Sequence, residues 1–148
     1  GVVEMIRQLK VAHDTAVKDR TGAMITLKVM IVHAPEQLRV ETARKTQRSL
    51  ARYCAALRPR ALETTDDSIR HTLRSIARRW LALDEEVTQL NTMIEELVTQ
   101  RAPHLLEEFG IGVDTAAEIL IVAGDNPERI HSEAAFAKLA GISPVPTA

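Results

Sequence analysis

The chain has 148 residues, 45% of them hydrophobic, and a formal net charge of −1, which bounds it to one or two small domains folding in water. Aromatic residues make up only 3%, and a composition this rich in helix formers predicts an all-α fold rather than a sheet. Cys54 is the single cysteine, which excludes an intramolecular disulfide framework and a multi-cysteine zinc site and points to a reducing cytoplasm.

The first predicted element is a long helix over residues 2–33. Val2, Ile6, Leu9, His13, Ala16, Arg20, Ala23, Leu27 and Met30 recur at alternating steps of four and three, with His13 and Arg20 as polar interruptions. Glu4, Arg7 and Lys10 break its apolar start, so neither a signal peptide nor a membrane span is expected there. Gly22 weakens its middle by about 1 kcal/mol relative to Ala. Pro35 marks the first position of a further helix, expected over 35–57 and ended by Pro59. Arg44, Lys45, Arg48 and Arg52 fall on one face of that helix and are the candidate side chains for a phosphate backbone.

The cleanest periodicity follows. Ile69, Leu73, Ile76, Trp80, Leu83, Val87, Leu90, Ile94 and Leu97 form a heptad seam of about four repeats, with Leu73, Trp80, Val87 and Ile94 at a and the others at d. Thr65 or Asp66 can cap its start, Asp67 suits the first turn, and Pro103 closes it off. A seam this long exceeds what one short neighbour covers, so Leu73, Ile76, Trp80, Leu83, Val87, Leu90, Ile94 and Leu97 are the candidate oligomerisation residues of a homodimer. Antiparallel connections between these helices make a hairpin or bundle.

After Pro103 the elements shorten to helices expected over 103–109, 113–123 and 132–140, with a turn at Gly124-Asp125-Asn126-Pro127. Gly110-Ile111-Gly112 between the first two has the form of a helix-hairpin-helix turn. Glycines there permit a tight turn whose N–H groups face outward at a helix N-terminus, suited to a phosphate oxygen. Ala116, four residues on, is small enough for close helix approach. Gly110, Ile111, Gly112 and Thr115 are therefore candidate nucleic-acid contacts. The plain alternative is a short connection between two helices, and Glu107, Glu108, Asp114 and Glu118 nearby oppose a strong electrostatic grip.

Charge is unevenly distributed. Residues 1–79 hold 16 Lys and Arg against 8 Asp and Glu, and residues 80–148 hold 3 against 12. The basic half can track phosphates, or neutralise the acidic half of the same molecule or of a partner subunit. The acidic runs Asp66-Asp67, Asp84-Glu85-Glu86 and Glu95-Glu96 read as helix caps and solvated faces. The five histidines lack metal-ligand spacing, and no nucleotide-binding glycine loop is present.

A wider pattern joins these features. Phe109-Gly110-Ile111-Gly112, Thr115-Ala116-Ala117, Ala123-Gly124-Asp125, Ile130-His131-Ser132, Phe136, Leu139-Ala140-Gly141-Ile142 and Pro144 together resemble the core of insertion-sequence transposases of the IS-one-ten type. Those proteins carry a RuvC-like N-terminal domain and a C-terminal transposase domain with a catalytic serine. The resemblance implies a coiled-coil region over 1–101 and a partial C-terminal transposase domain over 102–148. It further implies DNA, or guide RNA and DNA, as partners, and Mg at the RuvC-like domain, so no cofactor and no metal ligand is assigned to this chain.

The departures are Phe109 where the family has Pro, Ile130 where it has Phe, and no Tyr before Gly141. The family's catalytic serine follows the segment that ends here, and Ser143 lies inside it, so no catalytic residue is assigned. The expected function is DNA binding and dimerisation within a bacterial transposase, inactive by itself. The alternative is a helical protein-interaction module that binds no nucleic acid.

Overall fold

The computed structural model describes residues 1–103 and 112–125. Their architecture is all-helical: α1 (Val2–Val32), α2 (Glu36–Thr42), α3 (Gln47–Ala55), α4 (Thr65–Arg101) and α5 (Val113–Asp125), with no strand among the described residues. The helices expected over 103–109 and 132–140 lie outside the described residues, apart from Pro103. α5 runs two residues beyond its expected end, to Asp125.

The helix expected over 35–57 is two helices. Thr42 turns its hydroxyl back onto the Leu38 carbonyl at 2.7 Å as α2 ends, a bond that competes with helix continuation. Thr46 then caps α3, its side chain accepting from the Ser49 N–H at 3.2 Å. Pro35 occupies the N-cap of α2 rather than its first helical position. At α4 the cap is Thr64, one residue before the expected candidates. The Thr64 hydroxyl accepts from the Asp67 N–H at 3.2 Å and the Asp67 carboxylate accepts from the Thr64 N–H at 3.0 Å, a reciprocal capping box.

Two compact units form, one from Asp14–Val87 and one from Gly1–His13 with Thr88–Ala148. In the Asp14–Val87 unit, Met24 and Leu27 of α1, Leu38 of α2, Leu50, Ala51 and Cys54 of α3, and Leu73, Ala77 and Trp80 of α4 form one buried cluster. Trp80 is only 4% exposed. Three small residues, Ala34, Ala51 and Ala77, belong to the same cluster. In the other unit, Ile6 of α1 and Ile94 and Val98 of α4 pack with Ala116, Ala117, Ile119 and Leu120 of α5.

The heptad seam of α4 is turned slightly from its expected register. All four a positions, Leu73, Trp80, Val87 and Ile94, are buried, but of the d positions only Leu90 is. Ile69, Ile76, Leu83 and Leu97 are half-buried, while Ala77 and Val98, each four residues after an a position, are buried in their place. A third helix explains the rotation. α3 in one unit and α5 in the other add to the cover that α1 gives, so the buried face widens toward one flank, as bundles require. The a positions and Leu90 are thus covered within one chain, and the other d positions in part.

Candidate nucleic-acid interface

The basic residues singled out by sequence divide into three settings. Arg44 and Lys45 sit in the connection between α2 and α3, and only Arg48 and Arg52 are on α3. Arg44 and Arg52 are exposed. Lys45 places its Nζ 5.3 Å from the centroid of the Tyr53 ring, a cation–π contact. The Tyr53 hydroxyl donates to the Glu41 carboxylate. Burial, then that hydrogen bond and the Glu41 charge, push the Tyr53 pKa up to about 12.

Arg48 has a structural partner. One of its terminal nitrogens lies 2.9 Å from Asp84 Oδ2, while Arg20 reaches Asp84 Oδ1 at 2.8 Å. The Asp84 side chain is 15% exposed, so its two oxygens hold α1 and α3 against α4 from a largely desolvated position. Arg20, a polar interruption in the sequence pattern of α1, is thereby accounted for. The site carries two cations and one anion, and the Arg48 side chain keeps 57% of its surface open, which leaves positive potential facing solvent beside Arg52.

At the proposed hairpin, Gly110 and Ile111 lie outside the described residues. Gly112 is exposed, and its carbonyl accepts from the Ala116 N–H at 3.0 Å as α5 begins. Among the described residues a Cβ added at Gly112 would meet nothing within 4 Å. Thr115 is half-buried, and Ala116 and Ala117 are fully buried. Asp114 and Glu118 on α5 stand 3.5 and 3.9 Å from Lys10 Nζ, so one cation offsets part of the acidity that opposes an anion at this helix N-terminus.

Of the sequence-derived oligomerisation residues, Leu73, Trp80, Val87, Leu90 and Ile94 are buried and Ile76, Leu83 and Leu97 are half-buried within the single chain. Sequence reasoning passed over Lys10 and Asp84 as partners of charged groups on other helices. Their signal is a charge placed at or beside an apolar seam, as Asp84 is next to Leu83. Cys54 is fully buried in the core, and burial pushes its thiol up to about 11, the setting of a structural rather than a reactive cysteine. Among the described residues no group of three or more His, Cys, Asp or Glu could hold a metal ion. No helix among them is long and apolar enough to cross a membrane.

Against known proteins, residues 102–148 match the family model described as Transposase IS116/IS110/IS902 family. The matched residues are 47 of the chain's 148. Neither the curated proteins nor the solved structures contain a match to the chain.

Proposed function

We propose that this chain belongs to a transposase of that family and serves there to hold nucleic acid and to pair two copies, with residues 1–101 as the helical part and 102–148 as the start of the C-terminal transposase domain. The observation that carries the reading is the family match over 102–148, because transposition requires a grip on DNA. Two features of the chain support it. Arg44, Arg48 and Arg52 are exposed, and such side chains hold a phosphate backbone without reading bases. Gly112 is exposed at the first turn of α5 and no described residue crowds it, which suits the approach of a phosphate backbone. The bound strand is DNA, alone or with a guide RNA paired to it. Chemistry is assigned to parts of the parent outside this chain.

Filter binding of labelled duplex DNA and of a DNA–RNA hybrid, titrated against salt, tests the reading. Affinity should fall steeply and linearly on a double-logarithmic plot. Arg44→Gln with Arg52→Gln should weaken binding of every sequence alike, by about tenfold, and flatten the slope by about two. Binding that ignores salt, or no binding at low salt, would favour the protein-interaction alternative.

A further inference from the structure

α4 changes sign along its length. Between Ser68 and Leu83 it carries Arg70, Arg74, Arg78 and Arg79 and no acid, and the residues that follow are Asp84, Glu85 and Glu86. Arg70, Arg74 and Arg78 recur at steps of four, which makes them one row with about 6 Å between neighbours. Arg78 Nε donates to the Ala55 carbonyl at the end of α3 at 3.5 Å, so the row lies on the α3 side of α4. Arg79 lies on the other side, in the groove that Lys18, Gly22 and Ala23 of α1 also line.

Arg48 reaches Asp84 and Ala55 meets Arg78, so α3 runs antiparallel to this part of α4. Arg48, Arg52 and Ala55 follow one another at steps of four and three, and therefore share the flank of α3 that meets the row. Among the described residues none of Arg70, Arg74 and Arg78 has a carboxylate partner. Arg70 and Arg74 are half-buried, and the enclosed Arg70 Nε has no hydrogen-bond acceptor. Guanidinium groups packed at a joint between helices without an acid call for an anion from outside.

We propose that Arg70, Arg74 and Arg78 of α4 and Arg48 and Arg52 of α3 form one track for the sugar-phosphate backbone of a nucleic-acid duplex, ending where Glu85 and Glu86 repel it. The proposal rests on the reading that the chain holds nucleic acid, and it adds the α4 row as the place where the backbone lies. From Arg70 to Asp84 the track is about 20 Å long, which suits a polymer with charge repeated along it rather than a single small anion. Every cation in it is arginine, whose planar fork takes two phosphate oxygens at once. The described residues offer no exposed aromatic ring on which an unpaired base could stack: Trp80 is buried, and Tyr53 is half-buried with its hydroxyl on Glu41. Contacts to backbone alone suit paired strands.

Fluorescence anisotropy of the full chain with a labelled DNA duplex, a DNA–RNA hybrid and a single strand, each titrated against salt, tests this, with circular dichroism and melting temperature as the folding control. Arg74→Gln with Arg78→Gln should weaken duplex binding by about tenfold or more and flatten the salt slope by about two. Arg74→Lys with Arg78→Lys should restore the slope, because a phosphate accepts either cation. Lys18→Gln with Arg79→Gln removes the same charge from the α1 side of α4 and should leave affinity within about twofold. If the glutamine pair lowers the melting temperature, Arg78→Gln alone, at an exposed position, should still flatten the slope by about one. Duplex binding unchanged by the Arg74 and Arg78 variants overturns the track while leaving nucleic-acid binding elsewhere on the chain intact. An equal loss from the Lys18 and Arg79 pair also overturns it, since net charge alone then explains the effect. A single strand held as tightly as the duplexes overturns the duplex assignment, and whichever duplex is held more tightly identifies the source of the backbone. An unaltered chain that binds none of the three at low salt overturns both the track and the reading beneath it.

Discussion

The molecule holds cations against acids in two regions, in opposite ways. In the Asp14–Val87 unit, Arg20 and Arg48 close on Asp84 at 2.8 and 2.9 Å, and the Asp84 side chain is 15% exposed. In the other unit, Lys10 stands 3.5 and 3.9 Å from Asp114 and Glu118, whose side chains are 62% and 57% exposed. The first arrangement fixes three helices at one point and removes a carboxylate from water, so its geometry matters to the fold. In the second the Lys10 side chain is itself only 13% exposed, but both acids are open to water and stand farther off, so the attraction is weaker and salt reaches it. The contrast shows that a charge's contribution is set by burial and by the number of helices it ties together.

Removing the acid should break this contrast most visibly. Asp84→Ala leaves two arginines without their shared acceptor, one of them largely packed, and should destabilise the chain by about 3 kcal/mol in urea unfolding. Replacing all three members with Arg20→Met, Asp84→Leu and Arg48→Met should recover most of that loss, because desolvation of the charges disappears with them. Failure to recover would mean that the cluster stabilises by more than pairing.

An acid held by hydrogen bonds rather than cations gives an intermediate case. Donation from the Glu63 N–H first, and then from the Thr64 hydroxyl and N–H, holds the Asp67 carboxyl below the usual aspartate range. A carboxylate whose folded pKa lies below its unfolded value near 4 stabilises the fold above that unfolded value, and the contribution is lost as pH falls through the depressed folded one. Asp67→Asn should therefore flatten the acid limb of stability against pH. Thr64→Ala, which removes the other half of the capping box, should cost about 1 kcal/mol at pH 7. The smallest effect belongs to the exposed pair. Asp114→Ala should change stability by less than about 0.5 kcal/mol, with even that difference vanishing in 1 M salt.

The long helices were legible because their apolar spacing is unbroken. The expected helix over 2–33 became Val2–Val32, and the stop at Pro103 became an end at Arg101. What covers those helices was not legible. Periodicity reports which side of a helix is apolar but not how many neighbours share it, so the rotation of the α4 seam toward Ala77 and Val98 could not be read in advance. The break between α2 and α3 turned on Thr42 and Thr46, whose hydroxyls choose between helix continuation and capping through local geometry.

At the candidate interface the arginines were visible as a basic run, yet only the fold shows Arg48 tied to Asp84, thirty-six residues away. The row on α4 was present in the sequence as Arg70, Arg74 and Arg78. It went unread because the apolar 4-3 rhythm of the same helix drew the assignment.

The burial of Cys54 has a practical consequence for anyone handling this protein. A sole native thiol that is fully enclosed and has its pKa raised to about 11 leaves only about one molecule in ten thousand as thiolate at pH 7. Maleimides, air and glutathione should therefore leave the folded chain untouched. Any cysteine introduced on the surface would then be the only one that reacts, so fluorophores, spin labels or crosslinkers could be placed one residue at a time on the natural background without first removing Cys54 from the core it helps to fill.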